Sequence, residues 1–118
     1  MKRVVLESPL RGDLARNQFY ARLCMLDCLR RGEAPLASHL LYAHEDVLDD
    51  AKPEERQLGM EAGFAWGQHA EECALYGDLG ISEGMHESRE RARAAAIPWE
   101  FRVLPEDLYV RFRARYPA

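Results

Sequence analysis

At 118 residues, 47% hydrophobic and 31% charged, the chain has the size and composition of one globular domain and is too short for two independent cores. A formal net charge of -4 argues against a nucleic-acid polymer as the main partner, because such proteins carry a basic face that displaces counterions. No apolar run nears the roughly 20 residues that span a bilayer, and the N-terminus lacks a signal-peptide core, so a cytoplasmic protein with no membrane partner is expected.

Residues 3–7 read as a buried strand, Val4-Val5-Leu6 at its centre. The turn Ser8-Pro9-Leu10-Arg11-Gly12-Asp13 leads into a helix over 13–31, where Ala21, Cys24, Met25, Cys28 and Leu29 follow helical spacing. Asp13 suits its N-cap and Gly32 its stop. Residues 34–38 form a short second strand, followed by His39-Leu40-Leu41-Tyr42 and a solvated acidic loop from Glu45 to Asp50. Pro53 suits the first turn of a helix running to about His69. Gly59, Gly63 and Gly67 each cost that helix about 1 kcal/mol relative to alanine. Close approach of another backbone offsets such a loss, within the chain rather than at a symmetry partner, with Leu58, Ala62, Ala65 and Trp66 supplying the surrounding contacts.

Residues 72–77 make a third strand, and Asp78-Leu79-Gly80-Ile81 its C-terminal loop. A helix opens at Ser82 or Gly84 and ends near Ala96, Ile97 to Val103 form a fourth strand, and Glu106 to Tyr116 a closing helix. This alternation implies a three-layer α/β sandwich over 1–118. Its four- to five-stranded parallel sheet, with right-handed crossovers, is flavodoxin-like or Rossmann-like. Cys24, Cys28 and Cys73 have no framework spacing and read as reduced, packed thiols, with no metal or cofactor expected.

In open parallel sheets ligands gather at the carboxyl ends of the strands. The sequence brings three segments there: Ser8 to Asp13, Ser38 to Tyr42, and Asp78 to Glu87. A strand turning into a helix exposes free N–H groups, Gly12 allows a ligand close to the backbone, and Arg11 adds a cation that grips phosphate or carboxylate. The expected binding set is Ser8, Pro9, Arg11, Gly12, Asp13, Asn17, His39, Asp78, Ser82, Gly84 and Met85. Asp13 also reads as a cap, and Glu83 and Glu87 suit a first helical turn whatever their function.

A resemblance runs over roughly residues 3 to 104. It is carried by Ser8 to Asp13, Asn17, Tyr20-Ala21-Arg22, Ser38-His39-Leu40-Leu41-Tyr42, Leu48-Asp49-Asp50, Pro53-Glu54-Glu55-Arg56 and Gly80-Ile81-Ser82-Glu83-Gly84-Met85. Together these resemble an uncharacterised family of small bacterial and phage proteins in the nucleoside 2-deoxyribosyltransferase-like group. The resemblance implies a flavodoxin-like sheet, a nucleoside or nucleotide ligand, a homo-oligomer, and cleavage of a base–deoxyribose bond through a glutamate nucleophile. The group's aspartate and glutamate fall at Ser82 and Ser88, neither a carboxylate.

Two readings follow: an N-glycosidase or transferase with Glu87 or Glu83 as nucleophile, and a non-catalytic nucleotide-binding protein of phage or bacterial origin. A third is an interaction module whose glycine-ridged helix pairs two subunits.

Overall fold

The computed structural model describes residues 1–118. Its elements, in order, are β1 (Lys2–Glu7), α1 (Leu14–Arg30), β2 (Glu33–Leu36), α2 (Ser38–Tyr42), α3 (Pro53–Gly67), β3 (Glu72–Tyr76), α4 (Glu83–Ala94), β4 (Trp99–Arg102) and α5 (Glu106–Arg115). The four strands form one sheet in the order β2-β1-β3-β4, and every pairing is parallel. This is the flavodoxin-like order through four strands, and it reverses between β1 and β3.

The alternation of side chains along β1 sorts the core into two layers. Val4 and Leu6 face α1 and α5, joining Ala74 and Tyr76 of β3 with Tyr20, Cys24, Leu108 and Phe112. Val5 faces the other way and packs against the cluster of Cys73, Leu75, Met85 and Ala92, on the side of α4. All five β3 residues are buried, as a central parallel strand covered on both faces requires. The three cysteines are buried and unpaired.

Three local expectations change. The second strand spans 33–36, and Ser38 opens the one-and-a-half-turn helix α2 rather than ending a strand. The fourth strand is confined to 99–102. On α3 Leu58 and Trp66 lie largely in solvent, 57% and 62% exposed, so the apolar contacts expected of them are missing and Trp66 reaches α2 only through its indole N–H, which donates to the Tyr42 hydroxyl at 3.1 Å.

The glycine ridge turns inward instead. A Cβ on Gly59 would lie 3.3 Å from Leu48, one on Gly67 3.3 Å from Val5, and one on Gly63 only 2.6 Å from the Ser38 hydroxyl. The ridge therefore seats α3 against α2 and β1 of the same chain, and it is not free to pair two subunits.

Candidate functional site

A cavity of about 730 Å³ opens at the carboxyl end of β1, bounded by α2, the loop before α3, α3 itself and α4. Its volume falls in the range of small-molecule sites. It lies beside the strand-order reversal, where β1 and β3 diverge into separate loops.

Each loop is held by its own sequence. Asp13 accepts a hydrogen bond from the Arg16 N–H at 3.1 Å and starts α1. The buried Asn17 amide donates to the carbonyls of Leu10 and Arg11 at 3.0 and 2.8 Å, fixing the turn, and Gly12 provides its positive φ of 100°. Asp78 accepts from the Tyr20 hydroxyl at 2.5 Å and from the Leu104 N–H at 3.0 Å, tying β3 to α1 and to the chain after β4. Ser82 caps α4 by accepting from the Met85 N–H at 3.3 Å.

Of the residues expected at the site, Ser8, Pro9, Arg11, His39, Ser82, Glu83, Gly84 and Met85 line the cavity. Gly12, Asp13, Asn17, Asp78 and Glu87 do not. The first four shape or brace the loops from behind. Glu87 is excluded by helical phase: Met85, Ser88 and Ala92 form the buried stripe of α4, and Glu87, about 100° around the helix from Ser88, is exposed.

Among the lining residues not expected there are Glu7 and Arg56. Glu7 ends β1 on the face of Val5, and burial pushes its carboxyl up to about 7, against a smaller opposing pull from the Ser88 hydroxyl. The signal was a single carboxylate closing an apolar strand, in register with an inward residue. Arg56 lies on the glycine side of α3, three residues before Gly59 and seven before Gly63. Its guanidinium sits 3.4 Å from where a Cβ of Gly84 would stand, and it makes no ion pair, whereas neighbouring Glu55 is engaged by Lys52 at 3.5 Å.

The remaining polar groups are largely committed. Arg11 is 62% exposed and reaches Asp50 at 3.4 Å, placing it at the rim rather than the centre. His39 Nε2 lies 2.8 Å from the Ser8 hydroxyl, and burial pulls its imidazole down to about 4, so it is neutral near pH 7 and able to accept the serine proton. Arg91 stacks over the Phe64 ring at 4.3 Å. The cavity thus combines a protonatable carboxylate, a neutral Ser–His pair, two guanidiniums without a carboxylate partner, of which Arg91 is stacked on Phe64 and Arg56 is not, and an apolar wall.

The fold and this cavity define a parallel α/β domain with a cavity of small-molecule size at its strand-order reversal. The chain belongs to the family described as a domain of unknown function (DUF7768), whose model matches residues 2–102. The matched span contains the whole sheet and every residue lining the cavity; α5 lies beyond it. No curated protein and no solved structure matches the chain. No helix is long and apolar enough to cross a membrane.

Proposed function

We propose that the domain binds a deoxynucleoside monophosphate in the cytoplasm and acts on its N-glycosidic bond, with Glu7 as the reacting carboxylate. The observation that carries this reading is the position of Glu7. Its carboxyl lies beside Ser88, where the resemblance puts the nucleophile, so a carboxylate from β1 serves in place of the one missing from α4. Ionised Glu7 attacks C1′ of the sugar as the C1′–N bond breaks, and the departing base takes a proton from water. Water then cleaves the glycosyl ester, or a second base accepts the sugar, returning Glu7 to its starting state. Arg56, the lining cation that is neither ion-paired nor stacked on a ring, takes the phosphate, and the apolar wall faces the base.

Chromatographic assay of free base from deoxynucleosides and their monophosphates tests the proposal. Base release by the native protein, lost in Glu7→Gln with ligand binding preserved in thermal shift, supports it. Turnover unaffected by Glu7→Gln overturns the assignment of Glu7.

The serines at positions 82 and 88 favour a second reading, a non-catalytic nucleotide binder. It expects saturable binding that requires Arg56, with no base released.

A further inference from the structure

β4 is the outermost strand, pairing with β3 on one side only. The carbonyls of Pro98 and Arg102 accept from the N–H groups of Cys73 and Gly77, each at 2.9 Å. The even-numbered residues therefore spend their backbone groups on β3, and strand alternation turns the N–H and C=O of Trp99, Phe101 and Val103 outward. Side chains alternate as well. Trp99, Phe101 and Val103 share one face, where Phe101 and Val103 are 49% and 64% exposed, and Glu100 and Arg102 share the other, bonded to each other at 3.1 Å.

We propose that this edge pairs antiparallel with the same edge of a second copy of the chain, about a two-fold axis through Phe101. Only registers that set odd residues opposite odd residues use the outward backbone groups. Of the three that keep most of this segment paired, centring on Glu100 puts two glutamates face to face, and centring on Arg102 puts two arginines face to face. Centring on Phe101 sets Phe101 against itself and Trp99 against Val103 as hydrogen-bonded pairs. The same register sets Glu100 opposite Arg102 in the closer, non-hydrogen-bonded pairs and so avoids both like-charge juxtapositions, while each Arg102 stays held by Glu33 and Glu72 of its own chain. Charge thus selects the register that also stacks the apolar row. The hollow bordered by Gly77, Ile81 and Val103 adjoins that row and leaves room for the opposing tryptophan ring. The product is a continuous eight-stranded sheet, twice the four strands of one copy.

Sedimentation at high micromolar concentration is the first measurement, with a dimer expected. Phe101→Asp sets two carboxylates against each other on the axis and yields monomer. Val103→Lys weakens the dimer; both side chains are largely exposed, and circular dichroism checks that the variants keep their fold. Phe101→Cys places two thiols across a pair with facing Cα atoms about 5.5 Å apart, within disulfide reach, while the three native thiols stay buried. Mild oxidation therefore cross-links Phe101→Cys, and it leaves Val110→Cys on α5 monomeric on a non-reducing gel. A monomeric native protein, a dimer that persists in Phe101→Asp, or a native dimer whose Phe101→Cys variant does not cross-link each overturns the proposal.

Discussion

Glu7 on β1 and Ser88 on α4 meet at the cavity wall, the carboxyl pushed up to about 7 by burial and only partly pulled back by the serine hydroxyl. A few residues away, the imidazole of His39 is pulled the other way, down to about 4, by the same loss of water. Two groups in one cavity are thus both biased toward neutrality, one as an acid and one as a base.

Their effects on stability run in opposite directions. From the ordinary value of 4.5 up to about 7, folded Glu7 holds a proton that the unfolded chain releases, so its contribution falls as pH rises and is fully lost above 7. From 6.5 down to about 4, unfolded His39 takes a proton that the folded chain refuses, so stability falls as pH drops through that window. Each effect is on the order of 3 kcal/mol. In the native protein the slopes oppose each other between 4.5 and 6.5. Glu7→Gln should stabilise the fold above pH 7 and leave it unchanged near pH 4, exposing the histidine slope. His39→Gln should steepen the loss of stability as pH rises between 4.5 and 6.5, where the opposing histidine slope is gone. Urea melts of the three proteins across this range check the signs.

Arg56 and Arg11 should separate in a binding assay. Arg56 has no carboxylate partner inside the cavity, whereas Arg11 is mostly in water beside Asp50. A charge-assisted bond is worth about 1.5–3 kcal/mol, so Arg56→Ala should weaken a deoxynucleoside monophosphate about 10- to 100-fold. The unphosphorylated nucleoside should be little affected, and Arg11→Ala should cost far less than Arg56→Ala. Calorimetry with both ligands makes the comparison, and an equal loss for nucleoside and monophosphate would contradict the role given to Arg56.

The sheet was legible because strand and helix alternate cleanly and the two central strands, β1 and β3, carry apolar runs. The turn at Ser8 to Arg11 and the separate placing of Ser8 and His39 near the cavity were legible because their segments follow strand ends; the contact between the two was not. Glu7 was not, since a carboxylate at the end of an apolar run reads as the strand's exit into solvent, and only the neighbouring α4 turns that place into a half-buried one. Asp78 and Asn17 were placed in the cavity because the loop and the helix start that carry them lie next to it, but the Asp78 carboxyl turns to Tyr20 and the Leu104 N–H, and Asn17 holds the turn that precedes its own helix. Arg56 was hidden by the acidic residues before it, which read as an ordinary first helical turn. The glycine spacing announced close packing without naming the partner, which depends on where the short helix α2 lands.

That partner gives the ridge a position-specific prediction. At Gly63 an added methyl would lie 2.6 Å from the Ser38 hydroxyl and 2.8 Å from its Cβ, atoms anchored at the start of α2. At Gly59 the nearest atom, 3.3 Å away, is the end of the Leu48 side chain, which can turn aside. Alanine gains about 1 kcal/mol in helix propensity at either site. Overpacking costs about 1–3 kcal/mol where nothing can yield, so Gly63→Ala should lower the melting temperature and Gly59→Ala should leave it unchanged or raise it. Neither shift should depend on protein concentration, because the ridge packs within one chain.

Arg102 should be the most costly surface-to-core charge to remove. Its guanidinium is buried and grips Glu33 with two bonds of 2.7 and 2.8 Å, with Glu72 at 3.3 Å and the Tyr76 hydroxyl at 3.4 Å. Hydrogen bonding to Arg102 is the main force holding the Glu33 carboxyl below its ordinary 4.5, so the pair contributes stability above that value and loses it as pH falls through the lowered one. Arg102→Met keeps the bulk of the side chain but leaves a buried carboxylate without its cation, a loss of about 3–5 kcal/mol at neutral pH. In the variant, Glu33 takes up a proton more readily, so the deficit should shrink as the solution is acidified. Adding Glu33→Gln to Arg102→Met should recover part of the loss, because the stranded charge is gone. Denaturant melts of the single and double variants at neutral and acidic pH decide the matter, and an Arg102→Met deficit that is constant with pH would place the cost in packing rather than in charge.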